Sequence, residues 1–275
     1  MSLKDLLVTV DGDSLNPSPL ALAAWLAGRF EAHLTGLHPS STARAGLYSA
    51  SFDTALFDAA MQANFVLLEQ RAIEARAGFE AVTHRNGLAA EWRIARGFPA
   101  PETVLNGRSV DLVILGQRWS DYDGLRYPDP ADVVLDVGCP VLIVPRAGQF
   151  ERIERHALIA WNGSREAARA VRDALPLLKL VANVTVLAVN PKDGDEEPGA
   201  DIALHLARHG LTVEIDQTTV PDMGAADALL SRAADLGSDL IVMGAYGHAR
   251  MRETILGGVT RSMLEQMTVP VLMSH

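Results

Sequence analysis

The sequence is poor in cysteine, in long apolar runs and in positive charge. A single cysteine, Cys139, among 275 residues excludes an internal disulfide bond and a metal centre built from several thiolates. No stretch reaches the roughly 18 uninterrupted apolar residues of a membrane span, and the first apolar run stops at Asp11, too early for a signal peptide. These absences predict a cytoplasmic chain that does not associate with membranes.

Basic residues number 24 against 34 acidic ones, which gives a net charge of -10. Long-range attraction to nucleic acid is weak for such an acidic chain, so we expect no nucleic-acid partner. Apolar residues, by contrast, make up 48% of the sequence and are ample for packed cores. The length exceeds that of a typical single domain, roughly 100 to 200 residues, and favours two domains.

The sequence repeats its own plan. Three segments of the first half have counterparts in the second, namely LLVTVDGDS with ALIAWNGS, SVDLVILGQ with GSDLIVMGA, and CPVLIVP with VPVLMSH. The matched segments follow in the same order at nearly equal spacing, which predicts a tandem duplication with domains at residues 1–148 and 153–275. The first half is longer around the alanine-rich run of residues 54–81, which predicts a longer helix there.

Within each half, short apolar runs alternate with alanine-rich helical stretches such as PLALAAWLAGRF and REAARAVRDALPLLKL. This alternation predicts an α/β fold with doubly wound domains, in which helices cover both faces of a parallel sheet. Ligands of such sheets bind outside the carboxyl ends of the strands, where the strand order reverses. The segment GAYGHARMRETILGGVTRSML, residues 244–264, follows the strand DLIVM at such a position.

Glycines and arginines are concentrated in this segment, at Gly244, Gly247, Gly257 and Gly258 and at Arg250, Arg252 and Arg261. The first glycine pair would let backbone N–H groups approach an anion, and the second pair would open a helix whose N-terminus favours negative charge. A Gly-x-x-Gly pair is also common in ordinary loops, and the arginines and His248 could equally be solvated loop residues.

The spacing of Gly244, Gly247 and Gly257, with two and nine intervening residues, resembles the motif of ATP-binding universal stress proteins. Gly258 stands where that motif has Ser or Thr. The turns DGDS and NGS and the last strand of each half are also similar to that family, so the resemblance covers the chain twice. It implies a tandem protein with a five-stranded parallel sheet in each half and an internal pseudo-dimer through the last strands, and it is compatible with a further homodimer.

The resemblance also implies an adenine site. In the family, a carboxylate after the first strand and a valine in the second strand border the adenine, and these positions are Asn162 and Val189 here. Asn162 can accept a hydrogen bond from an adenine amino group, or it is a turn or cap residue. Thr260 could replace the missing serine hydroxyl or face the helix exterior. The candidate nucleotide-binding residues are Asn162, Val189, Gly244, Gly247, His248, Arg250, Gly257, Gly258, Val259 and Thr260.

The first half departs from this pattern. No glycine follows Gly116 at the spacing of Gly247, and Asp129 before Pro130 predicts a helix whose N-terminus is already capped by a carboxylate. Residues 116–132 hold two arginines against four aspartates, whereas residues 244–261 hold three arginines against one glutamate. We therefore expect an anion site in the second half alone.

The leading functional hypothesis is a stress-response protein that binds ATP, with or without Mg²⁺, in its second half. Two alternatives stay open, a scaffold without nucleotide and an enzyme of the same fold, such as a slow ATPase. The sequence has no Gly-x-x-x-x-Gly-Lys loop and no nucleophile elbow, so we predict no catalytic residue. His205 and His209 are four residues apart, but the following Gly210 predicts a helix C-terminus rather than a metal site.

Overall fold

The computed structural model describes residues 2–11, 17–39, 54–118, 127–191, 197–220, 222–247 and 258–275. The first half consists of β1 (Asp5–Thr9), α1 (Ser18–Phe30), β2 (His33–Pro39), α2 (Thr54–Arg85), β3 (Ala90–Ala95), α3 (Pro99–Gly107), β4 (Leu112–Gly116), α4 (Pro130–Asp136) and β5 (Val141–Val144). The second half consists of β6 (His156–Ala160), α5 (Arg165–Leu178), β7 (Asn183–Val189), α6 (Ala200–Arg208), β8 (Val213–Thr218), α7 (Ala225–Asp235), β9 (Leu240–Gly244), α8 (Gly258–Gln266) and β10 (Val271–Ser274).

The ten strands of the described residues form one sheet, in the order β3-β2-β1-β4-β5-β10-β9-β6-β7-β8. Neighbouring strands within each half are parallel. The halves meet at β5 and β10, which pair antiparallel with Leu142 opposite Leu272. The predicted fold class, two doubly wound five-stranded domains joined as an internal pseudo-dimer, is therefore confirmed.

The duplication is visible in a pair of equivalent aspartates. Asp111, just before β4, accepts hydrogen bonds from the backbone N–H groups of Lys4 and Asp5, at 2.6 and 3.0 Å. Asp239, just before β9, accepts from the backbone N–H groups of Glu154, Arg155 and His156, at 2.9, 2.9 and 3.1 Å. Each carboxylate thus fixes the start of the first strand of its own half.

The core has two layers, one on each face of the sheet, which is why the strands read as continuous apolar runs. Along β5, Leu142 packs into one layer and its neighbours Val141 and Ile143 into the other. Leu272 of β10 lies in the same layer as Leu142. Both layers therefore run without interruption from one half to the other.

The longer helix expected in the first half is α2, with 32 residues. Its C-terminal part packs on the sheet through Ala75, Phe79 and Thr83, which are buried. Gly36 of β2 leaves room for the Phe79 side chain, because a Cβ atom at Gly36 would lie 2.6 Å from that ring. This helix packs on β2 and β3, which lie at the opposite end of the sheet from β6.

Candidate functional site

The candidate site lies where the loops after β6 and β9 diverge. The loop after β6 is a tight turn in which Asn162 Oδ1 accepts the N–H of Ser164, at 3.1 Å. Ser164 in turn is the N-cap of α5, because its Oγ accepts the N–H of Ala167, at 3.1 Å. Asn162 therefore has the turn role that was one of the two readings of the sequence, and its contact with adenine stays a prediction.

Val189 ends β7 beside this turn. The N–H of Trp161 donates to the carbonyl of Leu187, at 2.9 Å, and continuing that register places Asn162 next to Val189. Val189 is half-buried and packs against the apolar layer beneath it. The structure thus brings both predicted adenine-bordering positions to the same edge of the sheet.

Gly244 and Gly247 lie against the first turn of α5. A Cβ atom at Gly244 would be 2.4 Å from the backbone nitrogen of Ala167, so only glycine lets the end of β9 approach that helix. At Gly247 the nearest atoms would be side-chain ends, Glu166 Oε2 at 3.2 Å and Ser164 Oγ at 3.4 Å. Gly244 therefore has a packing role of its own, and Gly247 stands at the exposed rim.

Tyr246, between these two glycines, was missed by the sequence reasoning. Its φ of 57° lies in the left-handed region, unusual for a residue with an aromatic side chain. Burial raises the pKa of its hydroxyl, and the nearby charges of Asp129 and Asp132 in the first half act in the same direction. Within the part of the chain that the structure describes, this buried hydroxyl has no hydrogen-bond partner.

Thr260, in the first turn of α8, faces inward. It is 4% exposed, and its Oγ1 accepts the N–H of Tyr246 at 3.5 Å. Gly258 and Val259 before it are exposed, and a Cβ atom at Gly258 would meet no described residue within 4 Å. Arg261 pairs with Glu265 of the same helix, at 2.8 Å. Among the described residues, the first turn of α8 has no acidic side chain, so its N–H groups have no carboxylate of that turn beside them.

The predicted site residues His248, Arg250 and Gly257 lie outside the described residues. Asn162, Val189, Gly244, Gly247, Gly258, Val259 and Thr260 lie at the carboxyl ends of β6, β7 and β9 or in the first turn of α8. Their common position agrees with the expected binding edge of a doubly wound sheet. That they hold a ligand stays a prediction.

Glu166 is a buried carboxylate at the rim of the site, 5% exposed. Burial alone would raise its pKa, but hydrogen bonds from the side chain of Arg165 and from the backbone outweigh it, so the pKa is lowered. Arg165 is itself exposed and contacts this carboxylate directly. The rim near Gly247 therefore carries a paired negative and positive charge.

The equivalent helix of the first half, α4, begins differently. Asp129 is its N-cap, with Oδ1 accepting the N–H of Ala131 at 3.0 Å, as the sequence predicted. The other oxygen, Oδ2, pairs with Arg118 Nη1 at 2.5 Å. Burial and the charges of Asp129 and Asp136 raise the pKa of Asp132 in the same turn. Two carboxylates thus occupy the helix end at which an anion would bind.

His205 and His209 lie on the surface side of α6, where their rings meet edge to face at 4.7 Å. His209 is the C-cap and Gly210 follows with φ of 84°, so the predicted helix C-terminus is confirmed.

No group of three or more His, Cys, Asp or Glu side chains suited to a metal ion occurs among the described residues. Burial raises the pKa of Cys139 to about 12, which makes that thiol unreactive at neutral pH. No helix in the described part of the chain has the length and apolar character needed to cross a membrane.

A family model described as the universal stress protein family matches residues 2–145 and again residues 154–275. Universal stress protein Slr1230 of Synechocystis sp. is 25% identical over 186 residues, which are 59% of this chain and 57% of that protein. The chain thus spans little more than half the length of this curated relative.

Solved structures agree on the fold. A universal stress protein from Archaeoglobus fulgidus is 19% identical with a TM-score of 0.75, and the match covers 98% of this chain and 95% of that one. A protein of unknown function from Pseudomonas aeruginosa PAO1 is 15% identical with a TM-score of 0.60, over 99% of this chain and 92% of that one. At these identities the likeness is one of architecture.

Proposed function

The chain belongs to the universal stress protein family, and we propose that it is a cytoplasmic stress-response protein that binds one adenine nucleotide, ATP, in its second half. The phosphates would lie at the first turn of α8 and at the backbone of Gly247. The adenine would lie at the turn of Asn162 and beside Val189. His248, Arg250 and Gly257 belong to the same proposed site on the strength of the sequence motif.

The contrast between α8 and α4 carries this proposal. Both helices follow the fourth strand of their half, and both N-termini attract negative charge. In α4 that position is taken by Asp129, whose oxygens bond Ala131 and Arg118. In α8 no described residue lies within 4 Å of a Cβ atom at Gly258, the first turn has no acidic residue, and the hydroxyl of Thr260 is turned inward. The second half therefore favours binding of an anionic ligand, whereas in the first half the Asp129 carboxylate already occupies the equivalent position.

Glu166 bears on the proposed role of Mg²⁺. Its carboxylate, ionised at neutral pH, would repel a phosphate placed at Gly247, and its partner Arg165 is exposed, so solvent screens the charge that would oppose this repulsion. A Mg²⁺ ion bound with the nucleotide supplies positive charge that offsets this repulsion. The residues present fit a magnesium nucleotide better than a bare one, and we expect tighter binding of ATP with Mg²⁺ than with a chelator.

The test is a calorimetric titration of the full chain with ATP, with and without Mg²⁺, and with GTP as a control for the adenine contacts. The expected result is one site per chain. Two equivalent sites would contradict the argument from Asp129. The absence of heat up to millimolar ATP would favour the scaffold hypothesis, and release of phosphate during the titration would favour the slow ATPase.

A further inference from the structure

A buried side chain of the first half, that of Gln117, hydrogen-bonds to α8. Gln117, directly after β4, is 7% exposed. Its amide nitrogen donates to the carbonyl oxygens of Leu264 and Glu265, at 2.8 and 3.0 Å. Its amide oxygen accepts the N–H of Arg146 in its own half, at 3.1 Å. Both ends of this side chain are therefore bonded, one in each half of the molecule.

The two acceptors lie at the C-terminal end of α8, where a helix needs partners. The last four carbonyl groups of a helix have no N–H within the helix to bond. The N–H of Met267 bonds the carbonyl of Met263, at 2.9 Å, and Gln117 bonds the next two carbonyls. The last turn of α8 has no basic residue that could serve this purpose. A helix of nine residues is marginal on its own, so partners outside it decide its stability.

The arrangement is not reciprocal. Gln117 and Ala245 are equivalent, since the N–H of Gln117 bonds the carbonyl of Val144 at 2.8 Å and that of Ala245 bonds the carbonyl of Ser274 at 2.9 Å. A methyl group donates no hydrogen bond, so Ala245 cannot bond the carbonyls of α4 as Gln117 bonds those of α8. The contact therefore runs from the first half to the helix of the second half, and not in the other direction.

We propose that Gln117 is a positioning residue for the nucleotide site of the other half. By holding the C-terminal end of α8, it keeps the N-terminal N–H groups of that helix in place for the phosphates. Gln117, directly after β4 of the first half, thus supports a helix of the second half. The part of this inference that concerns nucleotide rests on the proposed function, whereas the anchoring of α8 does not.

The anchoring is tested by hydrogen exchange of the full chain without nucleotide. Gln117→Met keeps the length of the side chain and removes the amide. We expect the amides of residues 262–267 to exchange about tenfold faster than in the parent, from the loss of two hydrogen bonds, while those of β9 stay unchanged. The matched control is Thr103→Val, which removes a buried bond from Thr103 Oγ1 to the carbonyl of Pro99, 2.7 Å long and within the first half. Parent-like exchange in Gln117→Met overturns the proposal.

The second test needs no variant. The side-chain amide signals of Gln117 are followed by NMR in the parent chain as Mg²⁺ and ATP are added. A shift of these signals, in a half that has no proposed nucleotide contact, supports the coupling, and unchanged signals at saturation overturn it. If the parent binds no ATP, the proposed function fails, and the hydrogen-exchange result still decides whether Gln117 anchors α8.

Measurements of ATP affinity distinguish a positioning role of Gln117 from a general effect on the stability of the chain. Gln117→Met should weaken ATP binding about tenfold while Thr103→Val, even if less stable, binds as the parent does. Gln117→Glu keeps the acceptor for Arg146 but puts a negative charge beside the helix C-terminus, and should weaken binding at least as much. Equal affinity of both Gln117 variants and the parent contradicts the positioning role.

Discussion

Gly244 and Gly247 stand three residues apart in one motif, but they meet different atoms. A side chain at Gly244 would collide with the backbone of α5, which cannot yield without moving the helix. Among the described residues, the atoms nearest a side chain at Gly247 would be Glu166 Oε2 and Ser164 Oγ, at 3.2 and 3.4 Å, which is tight but not a collision with backbone. The first glycine is therefore required by the fold, whereas the role proposed for the second is to let a ligand approach the backbone.

Gly247→Val tests the second role. The branched side chain would occupy the space proposed for phosphate oxygens and should cost about 2 to 4 kcal/mol of binding, or about thirtyfold to a thousandfold in ATP affinity. Its thermal unfolding should stay near that of the parent. Gly257→Val should act in the same way on binding, although Gly257 lies outside the described residues. Parent-like ATP affinity in both variants would show that these glycines do not hold phosphate.

Gly244→Ala is the matched comparison. We expect it to lower the free energy of unfolding by about 1 to 3 kcal/mol, because the added methyl group is 2.4 Å from the nitrogen of Ala167. Urea denaturation measures this directly. A variant as stable as the parent would mean that β9 and α5 are not in such close contact.

His38 predicts how stability depends on pH. Burial lowers its pKa, and the bond from its Nδ1–H to the carbonyl of Val10, 2.8 Å long, offsets this only in part. Between pH 6.5 and the lower pKa of the folded state, the unfolded chain binds more protons, so stability is full above that range and falls as the pH drops through it. The contribution of one such group is at most about 1.4 kcal/mol per pH unit.

The measurement is urea denaturation at pH 7.5 and pH 5.5 of the parent and of His38→Phe, which keeps a ring against Trp92 and cannot be protonated. The variant should lose less stability between the two pH values than the parent. His156, whose pKa burial also lowers, is present in both proteins and contributes equally. An identical pH dependence of the two proteins would contradict the assignment to His38.

Helices α4 and α8 occupy equivalent positions, but the unpaired backbone groups at their ends find partners in different ways. In α4 a residue of the chain caps the N-terminus, whereas in α8 a side chain of the other half holds the C-terminus. The first arrangement could be read from sequence, because an Asp followed by Pro is a local signal. The second could not, because Gln117 and Leu264 are 147 residues apart and meet only after the halves have paired.

Asp129→Ala should lower the free energy of unfolding by about 0.5 to 2 kcal/mol, because the N-cap bond to Ala131 and the pair with Arg118 are both lost. The comparison is Asp132→Ala, which removes a carboxylate of the same turn that is not the cap and should change stability far less. Denaturant unfolding ranks the two. If Asp132→Ala proved the more damaging, the capping role of Asp129 would be wrong.

At the scale of the whole molecule, the fold followed from apolar strands, alanine-rich helices and the repeat, and these signals are local enough to survive in a single sequence. The candidate site could be predicted from the sequence only in part. Tyr246 carries no signal of its own, since its left-handed backbone and buried hydroxyl arise from the loop between Gly244 and Gly247 and from the neighbouring half. Asn162 was ambiguous because the same side chain suits a turn and a ligand.

Pairing through β5 and β10 predicts the behaviour of a separated half. Residues 150–275 alone would expose β10 as a bare apolar edge, and we expect that fragment to dimerise or aggregate. Light scattering during gel filtration over a range of concentrations measures this, with the full chain as the control. A fragment that stays folded and monomeric at high concentration would show that β10 needs no partner.

The antiparallel contact of β5 and β10 joins unlike partners on one polypeptide. In a symmetric homodimer each substitution appears twice, once on each side of the axis, and must suit both. Here the tether makes pairing intramolecular, so it does not weaken on dilution, and a substitution in one half is not repeated at the equivalent position of the other. Gln117 and Ala245 could diverge for that reason, as could Asp129 and the open end of α8. With both halves on one polypeptide, each position can therefore differ from its counterpart in the other half.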